Sequence, residues 1–402
     1  MLKYLYKQDL FNLNTNTIIV VVLLFTVIYL STFVYDLHTV VIEGLDDENI
    51  MAMVEKYADR YKEQSNSFHP PGQYSVKRET FNKLYLRDFY IKSSYNSCAI
   101  DNDMDWVSEK VLPTLLMNGV RFFDFQVFNI RNEEKPCVGI QKNGDTESIS
   151  SNNYILLNAA MSELKSNAFT SICPNHKDPL FIHLRCCELM EITYDNIYKI
   201  LKDVFKLNNK KKNDKNISDI YYKDIFNSAE DNRTFILMTN VHPSNKNNKL
   251  KNIFYVEGKD PSNSDTIIAM NHSTIKNLST TEAKALANYN KKNFTICYPD
   301  FPTNNNLYKN YLFPEECDKQ PCYPDPMIYG CQFMPLCFSL DKNVEYYHKL
   351  FESLQTGFIV KHNSLRIADI NLATGTYDGI IGNKDSKVDK LGTKVNESVN
   401  PG

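Results

Sequence analysis

The chain has 402 residues and a net charge of −3, with 45 Lys plus Arg against 48 Asp plus Glu. That length holds one large domain or two smaller ones around a substantial core. The near balance of charge excludes the global basic field that gathers nucleic acid, so no nucleic-acid partner is expected.

In chain order, a short tail (1–16) precedes an uncharged apolar run at 17–35, TIIVVVLLFTVIYLSTFVY, free of Gly and Pro. At about 1.5 Å per residue it reaches about 28 Å, close to the hydrocarbon thickness of a bilayer. Its bulky exit, Thr-Phe-Val-Tyr-Asp, is unlike a signal-peptide cleavage site, so it predicts a single transmembrane anchor. Lys3 and Lys7 precede the run, whereas no Lys or Arg follows until Lys56. The bias points to a cytoplasmic N-terminus and a main domain on the extracytoplasmic, luminal or virion-membrane side. Residues 36–84 read as a juxtamembrane stalk, with an acidic patch, a helical pattern over 50–61 and a Pro-Pro-Gly break at 70–72.

Beyond residue 85, short apolar runs alternate with helical patterns. Strands are expected at 122–128, 180–184, 234–239, 294–298, 331–338 and 357–360. Helices are expected at 107–117, 154–167, 194–207, 281–290 and 343–354. Regular alternation over this length fits a (β/α)8 barrel or an open doubly wound sheet, and the lack of a Gly-rich phosphate loop after a strand weakens a nucleotide-binding version. The run KLNNKKKNDKN reads as a solvated basic insertion at about 206–218, and the tail at 381–402 lacks apolar periodicity. The ten cysteines lack paired C-x2-C knuckles, so buried thiols are expected rather than zinc; a Cys317–Cys322 loop disulfide suits only an extracytoplasmic domain.

Several runs carry a family likeness. They are Ser93-Ser94-Tyr95-Asn96-Ser97; Gly119, Arg121 and Asp124-Phe125-Gln126; Pro136 to Ile140; and Pro179 to Arg185. Further along are Ile236 to Val241, Asn293 to Pro299, and Tyr329-Gly330-Cys331-Gln332 with the sequence after it to Arg366. Together they resemble phosphoinositide-specific phospholipase C. The similarity spans its X-like half (about 85–205) and Y-like half (about 279–370), within a TIM barrel over 85–380. No EF-hand, PH or C2 module is recognisable. Phospholipase C-like proteins of large DNA viruses look closer still, through strings around Asp178 to Arg185 and Asn290 to Cys297.

The resemblance implies a site and also its decay. The two catalytic-histidine positions fall on Tyr95 and Ile140. The calcium-ligand positions fall on Asn96, Asp124, Gln126 and Arg185. The substrate-phosphate positions fall on Thr239, Val241 and Ile296, and the aromatic Tyr298 is retained. Phosphodiester attack needs titrating groups near working pH and a cation held by hard oxygens. Neither Tyr95 nor Ile140 titrates near neutrality, and a guanidinium repels calcium. The expectation is a membrane-anchored pseudoenzyme with no metal and a binding or structural role, its partners the lipid bilayer and a phosphoinositide or a protein. The alternative is an active phosphoric diester hydrolase with a rearranged site, with calcium as cofactor. On the strand at 180–184 and beyond, His183 shares a face with Phe181 and Arg185, which places it inside the barrel and reads first as a structural histidine. The Arg185 guanidinium is expected to pair with Asp124 and take over the ion's structural role.

Overall fold

The computed structural model describes residues 26, 48–59, 81–100, 104–129, 135–141, 149–187, 189–206, 216–239, 241, 253–256, 267–300, 325–339, 344, 347, 350–351 and 357–367. The chain divides into two compact units, 1–53 and 54–402. The described residues of the first, 26 and 48–53, are all helical. The apolar run at 17–35 lies outside the described residues except for Thr26, as do the tail at 381–402, the centre of the basic insertion, and Cys317 with Cys322. Among the described residues no helix is long and apolar enough to cross a membrane. The eight described cysteines are thiols outside any disulfide, and among the described residues no group of three or more His, Cys, Asp or Glu is placed to hold a metal.

The second unit is mixed α/β. Its strands are β1 (Phe89–Ile91), β2 (Ser93–Ser94), β3 (Phe122–Asn129), β4 (Pro136–Gly139), β5 (Ile155–Leu156), β6 (Leu180–Cys186), β7 (Thr234–Thr239), β8 (Ile253–Val256), β9 (Ile268–Asn271), β10 (Thr295–Tyr298) and β11 (Phe358–Val360). The helices between them include α1 (Leu112–Met117), α2 (Leu157–Ala168), α3 (Glu191–Phe205), α4 (Tyr222–Phe226), α5 (His272–Lys276) and α6 (Thr280–Asn290). The α3 pattern buries Tyr194, Ile197, Leu201 and Phe205 at helical spacing. Ser279 caps α6 and Glu282 reaches back to close a capping box.

Among the described residues the ladders do not close into one continuous (β/α)8 sheet. Among those residues they form three sheets, ordered β5-β4-β3-β6-β7-β8 with β2 on β3, β10-β9, and β1-β11. Single parallel bridges, Val256↔Ile267, Ile296↔Phe333 and Ser94↔Leu336, run between them. The expected strand at 331–338 is the weak seam, pairing only through isolated bridges. Pro335 accounts for the interruption: it lies between the bridging residues Phe333 and Leu336 and has no N–H to give a ladder. The 154–167 helix is also shorter than expected, because Ile155 and Leu156 pair with β4 before α2 begins.

Inward-facing residues stack in tiers, because parallel register aligns every second residue. Phe122, Phe181 and Phe235 are in register, as are Asp124, His183 and Leu237, then Gln126, Arg185 and Thr239. The lowest tier is aromatic: Phe333 lies 4.5 Å from Phe122, 5.1 Å from Phe181 and 5.2 Å from Phe294, centroid to centroid. Burying such rings contributes roughly 1.5–3 kcal/mol each and gives the polar tiers a rigid floor. Packing starts upstream of residue 85, since buried Phe81, in the segment read as stalk, meets Phe89 and Tyr222 edge-on.

Two motif glycines serve this packing. Gly119 has φ +80, and a Cβ on Gly357 would meet the Gly119 carbonyl oxygen at 2.5 Å. Arg121 is fully buried and donates to the Ala168 carbonyl at 2.9 Å, where α2 ends. Gln332 cross-links the other half: its amide donates to the Asn290 and Asn293 carbonyls at 3.0 and 2.8 Å, and its oxygen accepts from the Thr295 N–H at 2.9 Å.

Candidate functional site

Asp124 is the centre. It stands on β3, fully buried, one tier above the aromatic floor. Its Oδ1 accepts from Arg185 Nε at 2.9 Å and its Oδ2 from Arg185 Nη2 at 2.8 Å, a two-pronged pair. Oδ2 also accepts from the Asn96 N–H at 3.1 Å. Asn96 can aim that N–H because its φ is +43, a left-handed turn that Asn tolerates better than most residues. Its Oδ1 accepts from Arg185 Nη2 in turn. Ser97 Oγ accepts from the Asp124 N–H at 2.9 Å, so the SSYNS turn is stitched to β3 at several points.

Tyr95 and Tyr298 close around the guanidinium. Tyr95 OH accepts from Arg185 Nη1 at 3.2 Å, and its ring lies 4.5 Å from the guanidinium carbon. Tyr298 lies 5.7 Å from the same carbon. Burial alone would raise the Asp124 carboxyl, but the Arg185 charge and His183 outweigh it and hold it below the ordinary carboxylate range. Burial would lower the Arg185 guanidinium, and Asp124 reverses this, raising it above its ordinary value. The site therefore holds a fixed internal ion pair.

His183 is fully buried on β6. Its Nδ1 lies 2.8 Å from Asp124 Oδ1 and its Nε2 lies 2.6 Å from Thr239 Oγ1. The Tyr298 hydroxyl is 3.2 and 3.3 Å from the two ring nitrogens. Burial, aided by the Arg185 charge, lowers the imidazole below its ordinary range despite Asp124, so it is neutral near pH 7. Burial pushes the Tyr298 phenol well up, so it stays protonated.

The structure thus brings together Tyr95, Asn96, Asp124, Arg185, Thr239 and Tyr298. Others stand apart. The Gln126 carboxamide turns to the Gln141 N–H at 2.9 Å, away from Asp124. Ile140, buried at the end of β4, makes its backbone bonds with Ser150 and Ser151. Ile296 is fully buried on the Tyr298 face of β10, and Val241 lies buried beyond the end of β7. The link from His183 to Thr239 was missing from the sequence-derived site. The signal was the in-register pairing Arg185↔Thr239 and His183↔Leu237, which puts the His183 and Thr239 side chains on one inner face.

Fold and site together define a mixed α/β protein with a buried carboxylate–guanidinium pair at the centre of its polar tiers. No protein-family profile matches the chain, and no curated protein matches it. Among solved structures, the PLC21 crystal structure from L. pealei aligns with TM-score 0.54 and 15% identity, over 72% of this chain and 38% of that one. PLC21 from S. officinalis aligns with TM-score 0.52 and 15% identity, over the same shares of 72% and 38%. This chain therefore spans well under half of those proteins, and the likeness is one of fold. A calcium-dependent phosphoinositol-specific phospholipase C from Pseudomonas sp aligns with TM-score 0.38 and 9% identity, over 55% of this chain and 84% of that one.

Proposed function

We propose that this chain is a membrane-anchored phospholipase C-like protein that has exchanged calcium-dependent phosphodiester cleavage for a binding or structural role. One observation carries the reading: the Arg185 guanidinium bonds both oxygens of Asp124 and the Asn96 carbonyl oxygen, filling the place among those oxygens that a cation would need. Calcium entering there would meet a fixed positive charge at close range in a poorly screened site. Tyr95 holds that same guanidinium and Ile140 carries no proton, so neither histidine position supplies an acid or base near neutrality. With Thr239, Val241 and Ile296 at the phosphate positions, a tightly held anionic headgroup is not expected. A protein partner or the bilayer surface is then the better match. The anchor rests on the apolar run at 17–35, and a viral membrane setting rests on the sequence resemblance alone. The bridges at Ser94, Val256 and Phe333 support reading the three sheets as one eight-position barrel.

Full-length protein in lipid nanodiscs, assayed on phosphatidylinositol and its bisphosphate with calcium or with chelator, is expected to release inositol phosphates at background rate. Calcium-dependent turnover that Asp124→Ala abolishes would overturn the reading. The second reading, a hydrolase with a rearranged site, is favoured by the neutral imidazole of His183 against Asp124. It requires phosphodiester turnover, measured with calcium and with chelator, that is lost in His183→Ala.

A further inference from the structure

The hydrogen bonds around His183 have a single consistent direction. Ionised Asp124 can only accept, so the 2.8 Å contact fixes the proton on Nδ1. The imidazole is neutral, so Nε2 carries a lone pair and the 2.6 Å contact must be donated by the Thr239 hydroxyl. Tyr298 remains a protonated phenol, its hydroxyl 3.2 and 3.3 Å from the two imidazole nitrogens. Thr239 Oγ1 therefore has its proton drawn toward a base, with that base oriented by a buried carboxylate and an O–H donor alongside. Asp124 and His183 are fully buried and Tyr298 nearly so, whereas Thr239, at the end of β7, is partly exposed.

We propose that Thr239 is a nucleophile, activated by His183 and oriented through Asp124, that accepts the acyl group of a neutral carboxylic ester. A hydroxyl, an imidazole and a carboxylate in series are the elements acyl transfer requires, and they are recognised by geometry rather than by order in the chain. The electrophile is a neutral carbonyl because the nearby cation is already spent: Arg185 is bonded to Asp124, Asn96 and Tyr95. No free positive charge remains among these residues to receive a phosphodiester anion. In the step, Thr239 Oγ1 forms a bond to the carbonyl carbon and its proton moves to His183 Nε2. The ester C–O bond then breaks, and the leaving alcohol takes that proton. Water, deprotonated by His183, attacks the acyl-threonine, releases the carboxylic acid and restores the hydroxyl. The protonated Tyr298 hydroxyl, beside the same imidazole, is the O–H donor nearest to hand for the oxyanion. This goes beyond the proposed loss of phosphoinositide cleavage and does not depend on it.

The test uses full-length protein in nanodiscs with a fluorophosphonate probe, whose P–F bond is exchanged for a bond to the attacking oxygen, and p-nitrophenyl acetate as ester. The labelled peptide is expected to contain Thr239. Labelling and nitrophenol release should fall roughly 10²-fold in Thr239→Val and be retained in Thr239→Ser. Because burial depresses the His183 pKa, the rate should be level at and above neutrality and fall only in acid. Thermal melting of each variant separates a lost nucleophile from a lost fold. No label, a label on another residue, or labelling undiminished in folded Thr239→Val would overturn the proposal. Arg185-based exclusion of calcium would stand in each of those cases, since it is read from inositol phosphate release.

Discussion

Two buried charge clusters in the same domain are treated in opposite ways. At the site, Asp124 and Arg185 touch through two hydrogen bonds, the carboxyl is held low and the guanidinium high. Elsewhere, Asp88 and Lys361 are also buried, but Lys361 Nζ donates to the Asn290 carbonyl at 2.9 Å and feels Asp88 only through its charge. Burial pushes the Lys361 amine down to about 7 and raises the Asp88 carboxyl. Contact, rather than the mere presence of an opposite charge nearby, decides whether desolvation is overcome.

The largest test of that contrast removes one half of the upper pair. Arg185→Met leaves Asp124 buried and ionised beside only His183 and Asn96, and should destabilise the fold by about 3–5 kcal/mol. Chemical denaturation at unchanged m-value would report it. Adding Asp124→Asn should recover most of the loss, because the amide still accepts from His183 without a buried charge. If the double variant is as unstable as the single, the pair is not the origin of the effect.

A second variant tests whether the place held by the guanidinium can take a cation. Arg185→Glu places carboxylates at 185 and 124 with the Asn96 carbonyl oxygen between them, a set of hard oxygens suited to calcium. Without metal it should be less stable than the wild type. Saturating calcium should then restore about 2–3 kcal/mol, by binding only the folded state. Absence of any calcium-dependent rise in melting temperature would break the claim that the guanidinium stands in for an ion.

Sequence patterning made the fold legible where a strand or helix was governed by local periodicity. The 234–239 strand is reproduced, and β6 and α3 differ from expectation only at their ends. It misled where a single residue overrode the pattern, as with Pro335, whose missing N–H turns an apolar run into isolated bridges. The expected Asp124–Arg185 pairing is seen because β3 and β6 are neighbours and Arg185 lies one inward step beyond His183, the register partner of Asp124. Gln126 and Ile140 differ because their surroundings are set by the β3–β4 hairpin side of the sheet, where Gln141 and Ser151 offer local partners. No single-strand pattern discloses which of two cross-strand neighbours a side chain will choose.

The lower cluster yields a pH prediction. Unfolded, the Lys361 amine titrates near 10.5; folded, near 7. Between those values the unfolded chain holds a proton that the folded chain lacks, so stability rises with pH across the window. Below about 7 both states hold it and the penalty is constant. Lys361→Met should therefore be more stable than wild type at pH 6, by about 2 kcal/mol once the lost bond to Asn290 is allowed for. That advantage should shrink as pH climbs from 7 toward 10. A gap independent of pH would show that Lys361 is charged and paired in the folded state.

The smallest effect concerns the neutral arm of the upper cluster. Thr239→Val keeps the side-chain shape of β7 but leaves His183 Nε2 without its hydroxyl donor. Tyr298, within 3.3 Å of that nitrogen, can turn its O–H to it, so the loss should be near 1 kcal/mol rather than the full penalty for an unpaired buried group. Combining Thr239→Val with Tyr298→Phe removes both donors and should exceed the sum of the single changes. A double-mutant cycle measures that excess directly. Strict additivity would mean that the two hydroxyls do not share the imidazole, and that the ion pair alone organises the site.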